Sequence, residues 1–372
     1  MPRSVRNLFL SPARLAVVAA LASVSLMAGC SESDSENQVG EPPVAQQAPT
    51  PPPHRTEMAQ ANETEPSSPA YNAGAAPADV PAQAQAAGFT QNTFSTRLKF
   101  NPGTVDSGLT YQPGYQWYVW NYFGNHPSFQ TSGLNADQSL SVGTLAGSAN
   151  GTLVSAAKLN YAPYFVGEAF GGGGYFEAEI SFDPDAVDAT HGFPAWWMMA
   201  LEHLANLPGQ QWQGQPADYD HFMEVDTFEF NRRPKIMDAY AGTLHDWFGL
   251  YKSTCPNGFC KIDTPFATST KHVPLATDWK SFTHRIGVLW VPATSSSDGS
   301  LTFYFDGQQE GDPVRYAKFT NQPPPLTAQT PWTFGVIDQQ HMVLILGAGP
   351  SARMIVRSVN VWQASAAHNM KN

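Results

Sequence analysis

Seven short runs of aromatic and β-branched residues dominate the chain beyond its first hundred residues. They are "GYQWYVWNYF", "GYFEAEISF", "HFMEVDTFEF", "FTHRIGVLWV", "LTFYFDG", "MVLILGAG" and "MIVRSVNVWQ". Each has the length and composition of a strand, and each is bounded by Gly, Pro, Asn or Asp. In "YFEAEISF", Phe176, Ala178 and Ile180 fall on one face, with Glu177 and Glu179 on the other. Asp306-Gly307 ends one run with a tight hairpin signal. The 30 Gly and 31 Pro fit many turns and few long helices. Only "FPAWWMMALEHLANL" has a helical texture, near its end. No internal repeat is present. These features predict an all-β chain folded as a two-sheet antiparallel β-sandwich.

The beginning of the chain follows different rules. Arg3, Arg6 and Arg14 precede the apolar run "LAVVAALASVSLM", which is short for a membrane span and ends in "LMAGC". That ending resembles the lipobox of bacterial lipoproteins. The resemblance implies a signal peptide over 1–29 and lipidation of Cys30. Ser31 after the Cys implies the outer membrane. Residues 30–88 hold Pro, Ala, Gln and Glu with few large apolar groups, so they cannot offset their ordering entropy and read as a tether. The folded domain is expected over 89–372, as a monomer touching the membrane only through its lipid.

Charge narrows the partners. A net charge of -11 argues against nucleic acid, since phosphate binding needs a positive surface. No metal-like cluster of His, Cys and Asp is visible, and no P-loop Lys follows Gly171–Gly174, so no cofactor is expected. Cys255 and Cys260 flank the turn "PNGF", and in an exported chain they are expected to form a disulfide.

"HFMEVDTFEF" carries the chemistry. Glu224, Asp226 and Glu229 sit among Phe222, Met223, Val225, Phe228 and Phe230, where ionised carboxylates need compensation. Glu224 and Asp226 share a strand face. Glu229 joins them only if a β-bulge near Thr227-Phe228 inserts one extra residue. The two Glu would then stand four strand steps apart, roughly 13 Å along the backbone. Side chains leaning inward would bring their carboxyls to about 5 Å, the separation of a retaining glycosidase.

"EVDTFE" resembles the E-x-D-x-x-E strand of glycoside hydrolase family 16. The likeness continues in order through "GGGGYFEAEISF", "FPAWWMMA", "GTLH", "HRIGVLW" and "LTFYFDGQ". It implies a concanavalin A-like jelly roll and a retaining, endo-acting hydrolase of β-linked glucan or galactan. It implies Glu224 as nucleophile, Glu229 as acid/base and Asp226 as the helper between them. It also implies that Trp197, His245 and His284 line the cleft. By residue type alone, Trp117, Trp120, Trp212, Trp247 and Trp332 are further candidate sugar contacts. "LILGAGPS", with Gly347 where the family has Asn, and "VRSVNVW" depart from the family pattern and remove support for its usual calcium site. The alternative is a cell-surface lectin built on the same jelly roll, which commonly lacks one of the two Glu.

Overall fold

The structure is a computed structural model that describes residues 80–96, 99–122, 133–145, 148–187, 193–205, 207, 219–230, 240–250, 267–271, 278–319, 331–348 and 353–372. Two sheets of eight strands each enclose one core. The first runs in the order Gln308–Tyr316, Gly299–Phe305, His284–Val291, Gly174–Phe182, Met354–Gln363, Leu140–Leu145 and Ser148–Asn150, with Gln91–Ser95 also on Met354–Gln363. The second runs Ala267–Lys271, Tyr240–Leu250, Tyr219–Glu229, Phe193–Ala200, Met342–Ala348, Leu153–Val154, Trp117–Val119 and Val105–Asp106. Pairing is antiparallel throughout both, except between Val105–Asp106 and Trp117–Val119. The fold is an antiparallel jelly-roll sandwich.

Period-two alternation places the core. Phe176, Ala178 and Ile180 of the first sheet meet Met223, Val225 and Phe228 of the second in one continuous apolar cluster. Burying a large side chain here contributes about 1.5–3 kcal/mol. The Asp306-Gly307 turn is a two-residue connection with φ of 48° and 83°, the conformation that matches strand twist. Gly173 has φ 81°, and a Cβ there would collide with Pro292 and the Trp290 carbonyl, so close chain approach requires glycine.

One feature differs from the sequence expectations. Folded structure begins before residue 89, because the helix Ala82–Ala86 buries Ala84 beside Phe89, Tyr175, Tyr304 and Trp362. An alanine-rich helix needs little apolar surface when a sheet receives it, so composition alone did not mark it. In Gly174–Phe182 the face that carries the acids is covered as well, and all nine residues are buried. Glu177 and Glu179 are 3% and 5% exposed. The Tyr175 hydroxyl donates to Glu177 at 2.8 Å, and burial pushes the Glu177 carboxyl up to about 7. The one helix expected from "FPAWWMMALEHLANL" is real but short, Leu201–Leu204.

Candidate active site

The acid strand Tyr219–Glu229 lies third in its sheet, between Phe193–Ala200 and Tyr240–Leu250. Its registers show the extra residue. Against Tyr240–Leu250, Glu224 faces His245, Asp226 faces Thr243 and Glu229 faces Ala241, with a shift between Asp226 and Glu229. Against Phe193–Ala200, Asp226 faces Trp197 and Phe228 faces Trp196, adjacent residues opposite positions two apart. Thr227 is therefore inserted, and its side chain is fully buried. The insertion keeps Phe228 in the core and turns Glu229 to the side of Glu224 and Asp226. One extra residue thus converges three acids on one face.

The neighbours of these acids are donors. The Trp247 indole donates to Glu224 Oε2 at 2.8 Å. His245 Nε2 lies 3.1 Å from Asp226 Oδ2, and both side chains are buried. Glu224 is 7% and Asp226 4% exposed, whereas Glu229 is half-buried. Burial, and then the charge of Asp226, hold the Glu224 carboxyl well above the usual range. His245, and more weakly the Trp247 hydrogen bond, pull it back, and Glu229 opposes them. The site therefore contains a raised carboxyl that one hydrogen-bond donor, Trp247, and one neighbouring imidazole, His245, pull back toward ionisation.

Aromatic rings extend to both sides. His203 stacks on Phe222 at 3.6 Å, Phe222 lies parallel to Trp247 at 6.2 Å, and Trp247 lies 5.7 Å from His245. On the other side, Trp197 is partly exposed, donates to the Gly347 carbonyl at 3.1 Å and lies 5.8 Å from Trp120. Trp196 is fully buried, so of the adjacent pair Trp197 is the one on the acid face.

Other sequence-derived residues fall elsewhere. His284 does not join the acids. It starts a strand of the first sheet, with Nδ1 2.8 Å from Asp306 Oδ2, and packs on Trp279 and Phe305. The expectation that it lines the cleft is corrected by sheet membership, which its local pattern does not encode. Trp117 is a core residue. Trp212, Cys30, Cys255 and Cys260 lie outside the described residues.

Two supports were not visible in the sequence. Gln340 accepts from the Met223 N–H at 3.0 Å and donates to the His221 carbonyl at 2.9 Å. It does so just past Glu224, where pairing with Phe193–Ala200 ends, so a side-chain amide substitutes for the missing strand. Behind the acids, His221 Nε2 and Asp246 Oδ1 lie 2.6 Å apart across the two strands, fully buried. Asp246 sits between His245 and Trp247, and this contact ties their strand to the acid strand. Gln340 is over a hundred positions from the acids, so no local signal could reveal it.

No protein-family model matches the sequence, and no curated protein matches it. Solved structures resemble this fold. The "LamAcat" structure from Zobellia galactanivorans is 13% identical, with TM-score 0.41, covering 75% of this chain and all of that one. Porphyranase B from the same organism is 16% identical, with TM-score 0.37, covering 67% of this chain and 85% of that one. The VIP36 exoplasmic/lumenal domain in its Ca2+/Man3GlcNAc-bound form is 9% identical, with TM-score 0.33, covering 70% and 88%. The chemistry therefore rests on the side chains themselves.

Proposed function

We propose that this protein is a retaining, endo-acting glycoside hydrolase that cleaves β-linked polysaccharide of the glucan or galactan type. The observation that carries the reading is the bulge at Thr227, which puts Glu224, Asp226 and Glu229 on one face beside Trp247 and His245. Retention needs an ionised nucleophile and a partner that begins protonated. Glu224 attacks the anomeric carbon as the carboxylate, the form that His245 and the Trp247 N–H favour against burial and the charge of Asp226. Glu229, the more open of the two, donates its proton to the leaving oxygen and then takes one from the attacking water. Asp226 stands between them, and its charge raises the Glu224 carboxyl. Trp197 offers an aromatic face to the apolar side of a sugar ring.

The reading extends to segments outside the described residues. Cys30 is lipidated and holds the domain at the bacterial envelope, the tether spaces it from the membrane, and Cys255 and Cys260 are bridged. Cys30→Ala should release the protein from the membrane fraction.

The decisive experiment measures reducing ends from laminarin, mixed-linkage glucan, agar, carrageenan and xyloglucan. Proton NMR of the first product should show the β-anomer. Glu224→Gly should be inactive and regain turnover with azide, giving an α-glycosyl azide. An inverted product sinks the retaining mechanism. Binding without cleavage of any glycan by the intact protein favours the lectin alternative.

A further inference from the structure

An exposed tyrosine pair stands at the far end of the aromatic line that begins at Trp197. Trp120 lies 5.8 Å from Trp197 and packs edge-on against Tyr122 at 5.3 Å. The Tyr122 hydroxyl donates to the Ala156 carbonyl at 2.7 Å. Asn121 holds Lys158 from both sides: its Nδ2 donates to the Lys158 carbonyl at 2.9 Å, and its Oδ1 accepts the Lys158 N–H at 3.0 Å. Lys158 ends the first strand of a hairpin, Ala156–Lys158 paired with Phe165–Ala169. The tip of that hairpin is therefore pinned beside the aromatic line.

The tip itself is built to present rings. Tyr161 is 62% and Tyr164 38% exposed, two of the four large apolar side chains exposed among the described residues. Such residues sit at a cost in water and cluster where something covers them. The tip is closed by the Leu159 N–H donating to the Tyr164 carbonyl at 2.8 Å and the Tyr164 N–H donating to the Tyr161 carbonyl at 2.7 Å. Tyr164 has φ 73°, a left-handed conformation that a bulky side chain rarely adopts. Such a conformation persists only where the surrounding structure holds it, and at an exposed ring it motivates a functional reading.

We infer that Tyr161 and Tyr164 form a distal docking platform for the same glycan chain that lies across the acids. The inference rests on the proposed glycanase reading. From the acid strand to Trp117–Val119 is four strand spacings, roughly 19 Å. That span accommodates several sugar rings laid end to end. Trp197 at one end and the tip at the other are the open ends of this line, with Trp120 buried between them, and the line runs across the strands, the direction of a polymer laid over the sheet. The occupant is therefore a long chain, and the platform separates polymer from short oligosaccharide.

The test uses the intact chain with Tyr161→Ala/Tyr164→Ala, Tyr161→Ala alone and Tyr161→Phe/Tyr164→Phe. For a polysaccharide cleaved in the panel above, kcat/KM on the polymer is divided by kcat/KM on its own tetrasaccharide. The double Ala variant should lower this ratio about tenfold and Tyr161→Ala about threefold, while the Phe pair keeps it. A ratio within twofold of the parent in both Ala variants overturns the platform, as does a Phe pair that behaves like the Ala pair. If the parent cleaves nothing, the glycanase reading fails by itself. Retardation in native gels containing each polysaccharide then decides the platform: it stands if the Ala variants run faster than the parent and falls if they do not.

Discussion

The strands Gly174–Phe182 and Tyr219–Glu229 use the same local grammar and reach opposite ends. Both alternate acids with aromatic and aliphatic residues, and both bury two of them: Glu177 and Glu179 in the first, Glu224 and Asp226 in the second. Each gives one Glu an aromatic donor, Tyr175 to Glu177 and Trp247 to Glu224. In the first strand the register against His284–Val291 advances without a shift. Its acids stay two apart and close to Arg285, which pulls Glu177 down against the effect of burial. In the second strand Thr227 breaks the register and brings a third, half-buried acid to the same face. Burial and a raised carboxyl are thus common to both strands. Convergence of three acids with one left partly open belongs only to the second, and the chemistry is assigned there.

The comparison breaks first at the proposed nucleophile. Glu224→Gln should reduce kcat by about four orders of magnitude or more, in the range seen when a nucleophile is removed. Glu177→Gln should leave kcat within about twofold, since it touches nothing near the acids. Comparable losses from both changes would show that burial, not convergence, marks the site. Glu229→Ala should come next, with about 10²–10⁴-fold loss on glycosides with poor leaving groups and far less on activated aryl glycosides. Equal losses on both substrates would remove Glu229 as the acid.

The donors sharpen the same contrast. Trp247→Phe removes a hydrogen bond that favours the Glu224 carboxylate, so the acid limb of kcat/KM should move to higher pH. A shift in the other direction would mean that the indole favours the protonated form. The smallest effect is on stability. Glu177 is raised from 4.5 to about 7 in the folded protein, so the folded state holds the proton more tightly than the unfolded one. Its contribution is fully present below about pH 4.5 and is lost as pH rises through about 7. Glu177→Gln should therefore raise Tm at pH 8 and leave it nearly unchanged at pH 4. A variant that melts lower at pH 8 would show that the carboxylate stabilises this strand.

Much of this was legible in the chain. The Asp306-Gly307 turn, the strand runs and the need for an extra residue near Thr227 follow from interactions a few positions apart. So does the identity of the acids, because a period of two cannot align Glu224 with Glu229 unless a bulge intervenes. Trp197, His245 and Trp247 lie beside the acids because their strands are direct neighbours of the acid strand. His284 lies in a similar aromatic strand, yet that strand joins the other sheet.

The sequence by itself determined the local conformations: which segments extend, where they turn and which residues share a face. These depend on side-chain period and on φ preferences, which act within a few residues. Only the tertiary structure decided which strands became neighbours and what covered each face. It placed Gln340 against the backbone of Met223, closed the N-terminal helix over Tyr175, and set Trp120 beside Trp197 across two intervening strands. Such contacts join positions far apart in the chain, and they arise from the collective burial of two sheets. No short stretch of sequence carries that information, because a strand's own pattern specifies a buried face but not the partner that buries it.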